Sequence, residues 1–479
     1  MPLNVLPAAS SAVSAWPFSI DLDVGETASL KIMGRTASLR LISLSRYTEP
    51  DRFIAANTSR VIQAKALLVV EVDGHALRLW QRPYQMPVVH CGLHLAIEGV
   101  RAEPDPDGTV AELMPLPQLH KAVRLSVLDQ AAPWGPPDVV FPLRGFRWGA
   151  SSYQNTWGAL VPYNALYYHR GEDFGAIPDQ LEVLALFSGR IIRTPLAHGR
   201  ATASNRLAIA RPDGMVVVYG HMNYESLNPA LVLGAEVAAG EWLGRTGETW
   251  NGARCQHQDP HLHIALHHAD PPPVGDGQFR LAMNSLPMLV EAYFRDYPDT
   301  LLACAGGYRY GLPGDTLELD AACSLSRPGH EIVSWEWLLH DGTRQSGPSI
   351  SVLYATPGLY TEELRIRSAD GAEDRAYAQV RIYDPAASIG DTGFGWFYHH
   401  PIRGLVPGRE ILFWNRLDPR SAAPVWVDFG DGTPPRPATS EFTHAYARPG
   451  LYTARLTSRG PRDESLTVAM RVVIDPPTV

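Results

Sequence analysis

The chain has 479 residues, of which 45% are hydrophobic and 19% charged, enough apolar material for large cores and too little charge for a disordered chain. At about 150 residues per domain, that length calls for roughly three domains. The net charge of −9 lacks the basic footprint of a nucleic-acid binder. Lysine occurs only at Lys31, Lys65 and Lys121, which leaves no polybasic membrane patch, and no apolar run reaches the roughly 18 residues a transmembrane helix needs.

Residues 1–17 read as a tail or a truncated export signal. Val13-Ser14-Ala15 imitates a cleavage site, but Pro2 and Pro7 interrupt the segment and a positively charged start is missing. From 18 to 140 short alternating runs follow one another: SLKIM, SLRLISL, ALLVVEV, then HALRLW after the Asp73-Gly74 turn, and LHLAIEGV. This predicts an N-terminal β-rich domain. His90 and His94, on either side of Cys91, sit in a strand-like stretch with no third partner and read as structural. The Pro-rich AAPWGPPDVVFP at 131–142 marks the end of the domain.

The next region, 141–298, alternates strands such as VLALFSGRII and GMVVVYGH with irregular loops and closes on LPMLVEAYF, the best helical stretch of the chain. Beyond residue 300 the sequence repeats itself. Asp341-Gly342-Thr343 recurs as Asp431-Gly432-Thr433, and Pro357-Gly358-Leu359-Tyr360-Thr361 recurs as Pro449-Gly450-Leu451-Tyr452-Thr453. Two homologous modules, 299–385 and 386–479, are expected, each with a Trp-bearing strand entering a DG hairpin turn. Short strands at this spacing argue for immunoglobulin-like β-sandwiches. Four cysteines, Cys91, Cys255, Cys304 and Cys323, are too scattered for a zinc cluster or a disulfide scaffold. The favoured bridge is Cys304 to Cys323, which would place the protein in an oxidising compartment.

The second C-terminal module resembles a PKD domain through WVDFGDGT, FTHAY and PGLYT; the first, with WEWLLHDGT, is PKD-like. The resemblance implies spacer or adhesion modules found outside the cytoplasm, with possible surface or glycan contact and no catalysis of their own. Asp428 and Asp431 read as turn carboxylates capping backbone amides rather than as a calcium site.

Histidine is where the sequence becomes chemical. Of 17 histidines, His257, His261, His263, His267 and His268 fall within 12 residues. In HLHIAL a strand puts His261 and His263 on one face while Leu262 and Ile264 pack the other way. GMVVVYGH is an apolar strand ending in His221, able to lie alongside, and HRGEDF places His169 and Asp173 where a loop enters a strand. Two neutral imidazoles and a carboxylate suit a catalytic zinc with a fourth position left for water, whose pKa such a centre lowers toward about 7. The two remaining imidazoles then serve as general acid and base. Tyr219 reads as a packed strand residue before it reads as a group orienting an intermediate. His267 and His268 are expected to run past the strand into a loop.

HRGEDF, YGH and PHLHI, in this order, resemble the HxxxD, YxH and HxH signature of the lysostaphin/LytM-type zinc metallopeptidases. The resemblance covers about 141–270. It implies an antiparallel β-sheet groove, one catalytic Zn2+ held by His169, Asp173 and His263, and His221 and His261 as the catalytic histidines. It further implies a peptidoglycan substrate, cut at cross-links or stem peptides, and an extracytoplasmic location (secreted, periplasmic or cell surface). One departure is the long segment ETWNGARCQHQDP before His261: it forms a specificity wall, or it brings Cys255 or His257 to the open zinc position. The rival expectation is a non-catalytic cell-wall-binding or adhesion protein that uses the same groove without turnover.

Overall fold

The computed structural model describes residues 16–50, 52, 61–101, 119–162, 166–197, 206–250, 253–254, 259–268, 281–387 and 393–477. The protein is mainly β, with many antiparallel sheets and, among the described residues, one α-helix. That helix, Leu286–Asp296, is the one the sequence pattern predicts, and it buries Leu286, Met288, Leu289, Val290, Ala292 and Tyr293 on the face turned to the central core.

The N-terminal region folds as two four-stranded sheets, one of Phe18–Leu22, Val123–Asp129, Leu93–Val100 and Val88–His90, the other of Thr27–Ile32, Arg35–Pro50, Val61–Val72 and His75–Gln81. Alternate residues from both, including Leu39, Leu41, Leu68, Val70, Leu95, Leu125 and Val127, meet in one apolar core. This is the expected outcome of period-two patterning.

The central region is built on one antiparallel sheet. Its strand order is Glu236–Val237, Gly189–Arg193, Leu207–Ala210, Met215–Gly220, His261–His268, Glu172–Gly175 and Gln154–Asn155, with Leu281–Met283 also pairing with the end of His261–His268. The His261 strand therefore lies in the sheet interior, flanked by the Met215 strand (Gly220 opposite His263) and by the Glu172 strand (Asp173 opposite His263). One sheet face packs on the central core through Phe174, Val217, Tyr219, Leu262 and Ile264, which are all but fully buried. The opposite face carries the polar residues of the site. The strand is longer than expected, since His267 and His268 pair with Val216 and Met215 and are part of the ladder. Alternation continues through Ala265 and Leu266 without a breaking residue, so nothing stops the strand at Leu266.

The C-terminal modules repeat the same turn chemistry. Asp341 Oδ1 accepts from the Thr343 amide at 2.9 Å, and Asp431 Oδ1 accepts from the Thr433 amide at 3.0 Å; Asp428 caps the Gly430 amide at 2.8 Å. Cys304 and Cys323 are disulfide-bonded, with Cα atoms 5.7 Å apart. The modules are not beads on a string. Gly358 and Leu359 of the first pair in parallel with Ser465 and Leu466 of the second, so the two repeats share a single sheet.

Candidate metal centre and active site

The site grows from three neighbouring strands and two loops. Asp173 and His263 are direct cross-strand partners, so their side chains leave the same face side by side. His263 Nδ1 lies 2.8 Å from Asp173 Oδ1. His169 precedes the Glu172 strand and reaches back, its Nε2 3.1 Å from both Asp173 Oδ1 and His263 Nδ1. The backbone turn between them is possible because residue 171 is glycine: a Cβ there would strike the Ile264 carbonyl oxygen. One ligand atom from each of His169, Asp173 and His263 lies within 4.8 Å of the others. The donor set, two imidazoles and one carboxylate, fits a zinc ion with an open position.

His221 and His261 stand beside this cluster, their rings 4.4 Å apart, and His261 Nε2 is 3.5 Å from Asp173 Oδ1. His221 has φ +67°, a left-handed conformation that costs a non-glycine residue about 1–3 kcal/mol. Two contacts hold it there. Gly220 pairs with His263 at a distance only glycine permits comfortably, and the Thr249 amide donates to the His221 carbonyl at 3.1 Å. The Thr249 carbonyl also lies 3.0 Å from His221 Nδ1, which assigns the proton to Nδ1 and leaves Nε2 as the acceptor. His261 is oriented in the same way by the Asp259 carbonyl, 2.6 Å from Nδ1, and His169 by the Thr156 carbonyl at 3.3 Å. Such carbonyl partners fix the tautomer and aim of a metal-binding or catalytic imidazole.

The electrostatics follow from depth. Burial alone would raise the Asp173 carboxyl, but the charges of His169 and His261 and hydrogen bonds from His169 and His263 outweigh it and hold the group well below the usual carboxylate range. Burial pushes His221 well down, with His261 and His263 adding repulsion, so its imidazole is neutral near pH 7. Burial lowers His263 as well. On the far side of the Glu172 strand, burial pushes the Glu172 carboxyl up to about 8, even though it accepts from the Trp157 amide and the Thr156 hydroxyl, each at 3.0 Å.

All five residues singled out from the sequence, His169, Asp173, His221, His261 and His263, thus lie in one side-chain cluster. Tyr219 does not join them; it packs on the core side and its hydroxyl accepts from the Leu186 amide at 2.6 Å. His90 and His94 contact the His75 and Gln130 carbonyls and belong to a different sheet from the cluster. The lengthened loop contains a small ladder, Thr249 opposite Arg254 and Trp250 opposite Ala253; Cys255 and His257 lie outside the described residues. Three supporting residues escaped sequence reasoning. Asn155 Nδ2 and the Tyr153 hydroxyl donate to Asp173 Oδ2 at 2.9 and 3.2 Å. Fully buried Asn223 accepts from the Glu248 amide and the Thr249 hydroxyl, bracing the segment under His221. The one sequence signal for Asn155 and Tyr153 is a polar and aromatic pair at period two, just upstream of the first motif.

An antiparallel sheet here brings two imidazoles and a carboxylate together as a candidate metal-binding set, with two further histidines beside them. Residues 167–274 match peptidase family M23, and residues 302–382 and 399–472 each match the PKD domain. The chain therefore carries an M23 peptidase domain followed by two PKD domains. No curated protein matches the chain significantly. Among solved structures it is similar to a putative glycyl-glycine endopeptidase LytM from Ruminococcus gnavus, with 24% identity, 26% of this chain and 47% of that one covered, and a TM-score of 0.21. It is also similar to Csd3 of Helicobacter pylori, with 14% identity, coverages of 58% and 81%, and a TM-score of 0.20. The chain spans about half of the Ruminococcus gnavus protein.

Proposed function

We propose that this chain is a zinc-dependent endopeptidase acting on the peptide part of peptidoglycan, in cross-links or stem peptides. The observation that carries the reading is the convergence of one ligand atom each from His169, Asp173 and His263 to within 4.8 Å of one another, with His221 and His261 beside them. His169 Nε2, Asp173 Oδ1 and His263 Nδ1 would hold the ion. Bound zinc supplies a polarised substrate carbonyl and a water of lowered pKa.

The chain's own groups do the rest. His221, neutral through burial and protonated on Nδ1, presents Nε2 to accept the proton of the attacking water. His261, steered by Asp259, hydrogen-bonds the carbonyl oxygen as negative charge develops on it. The accepted proton passes to the leaving amine. Placement outside the cytoplasm is supported by the Cys304–Cys323 bridge, since such bonds persist in oxidising compartments. No helix among the described residues is long and apolar enough to cross a membrane. We divide the chain as 18–140, 141–298, 299–385 and 386–479, supported by an apolar cluster centred in each region, the central one also taking in Tyr84, Leu302 and Ile402 from its neighbours. The C-terminal pair would then contact glycan or another surface.

The test is incubation of the purified chain with cell walls and glycine-rich peptides, the products being identified by mass. New amino termini in the peptide fraction are expected. Retention of the wall or peptide without any cleavage would make the chain a binding protein.

A further inference from the structure

The edge strand Gln154–Asn155 is only two residues long, yet it lies directly against Asp173. A two-residue edge strand contributes little cohesion of its own, so what fixes it matters. Three other parts of the chain do so. From the N-terminal domain, the Tyr84 hydroxyl donates to the Gln154 carbonyl at 3.2 Å. From the first PKD domain, the Tyr308 hydroxyl accepts from the Gln154 amide at 2.9 Å. From the second, Phe397 exchanges two hydrogen bonds with Ser152: its amide donates to Ser152 Oγ at 2.7 Å and its carbonyl accepts from the Ser152 amide at 3.0 Å. Trp396 meets the Tyr153 ring edge-on at 4.8 Å and the Tyr308 ring at 5.2 Å, and Tyr398 completes the apolar cluster around Tyr153.

The segment so clamped carries the two donors to Asp173 Oδ2, Asn155 Nδ2 at 2.9 Å and the Tyr153 hydroxyl at 3.2 Å, themselves 3.0 Å apart. With Oδ2 occupied, Oδ1 is the oxygen left facing His169 and His263. The Tyr153 ring also lies 4.8 Å from that of His261. We propose that Asn155 and Tyr153 are positioning residues for the metal carboxylate, and that the N-terminal and both PKD domains act on the site by locking the strand that bears them. The PKD pair is then a structural part of the peptidase centre as well as a surface module. This rests on the metal-site reading above and makes no use of turnover.

The test is zinc affinity of the full chain, measured by competition with a chromophoric chelator, together with the visible absorption of the cobalt-substituted protein. Removal of a hydrogen-bond partner behind a metal ligand weakens binding by about tenfold to hundredfold, the effect expected of Asn155→Ala. Tyr153→Phe, which keeps the ring, should weaken binding by a smaller factor and alter the cobalt spectrum. The remote double variant Tyr308→Phe/Trp396→Leu should move both readouts in the same direction, whereas Trp426→Leu, at an exposed site of the second PKD domain, should move neither. Wild-type affinity and spectrum in Asn155→Ala and Tyr153→Phe, or in the remote double variant, would overturn the proposal. If Asn155→Ala does not fold, Tyr153→Phe decides. A wild-type chain that binds zinc but cleaves nothing would overturn the peptidase reading alone and leave these comparisons intact; one that binds no zinc would overturn both.

Discussion

Phe174 follows Asp173 on the same strand and points to the opposite face, so its packing sets how firmly the carboxylate is held. It is fully buried and meets Phe141, Phe146 and Trp148 edge-on, with ring centroids 5.5, 5.3 and 5.3 Å away. Replacement by alanine removes the ring from all three contacts and leaves a cavity among rigid aromatic neighbours that close it poorly. Phe→Ala losses in such cores run to about 3–5 kcal/mol, and the aromatic geometry, at about 0.5–1.5 kcal/mol per pair, argues for the upper half of that range. The assay is hydrogen exchange of the Glu172–Gly175 backbone amides, which reads the local opening free energy. A loss of that size speeds exchange by roughly two to three orders of magnitude or more. Phe174→Leu, which keeps much of the volume, should cost less than about 1.5 kcal/mol. Trp242→Ala, at a site 37% exposed, should stay within about 0.5 kcal/mol. A Phe174→Ala loss under about 1 kcal/mol would refute the account of a strand anchored by its core-side ring.

The two classes of histidine separate by assay. His169→Ala should abolish zinc binding measured by metal analysis, whereas His221→Ala should retain zinc and lower kcat by about a hundredfold or more; equal metal loss in both would contradict the assignment. Replacing Cys304 and Cys323 by serine opens a loop with a sequence separation of 19 and should cost about 3 kcal/mol on the chain-entropy scale, seen as a lower urea midpoint for the first PKD domain. Burial depresses His399 to about 4. Its folded pKa lies below the unfolded value of about 6.5, so the unfolded state takes up the proton first. The neutral form's stabilisation is full above about 6.5 and fades as pH falls toward 4. At pH 5 the loss is about 2 kcal/mol, and His399→Gln should flatten the acid side of the stability curve; an unchanged slope would contradict this.

The local parts of the fold were legible because they obey local rules. Period-two runs marked the N-terminal strands, HLHIAL put two imidazoles on one face, and Asp341 and Asp431 closed the DG turns. The five histidine and aspartate positions were legible because each sits in a short motif whose spacing a strand or loop can satisfy. What stayed hidden depends on contacts between distant segments. The parallel pairing of Gly358 and Leu359 with Ser465 and Leu466 leaves no mark in either sequence, since backbone groups make it. Asn155 and Tyr153 are ordinary polar and aromatic residues until folding sets them against Asp173, and Trp396 lies more than 200 positions from the ring it braces. The early stop expected before His267 failed because a strand ends where its partner ends: Met215 and Val216 still pair with His268 and His267.

The most direct test of the central claim is a metal titration of the full chain followed by turnover. Zinc should bind at one equivalent, a chelator should abolish cleavage of a wall-derived peptide, and one equivalent of zinc should restore it. Cleavage that survives complete metal removal, or a chain that takes up no zinc at all, would contradict the account.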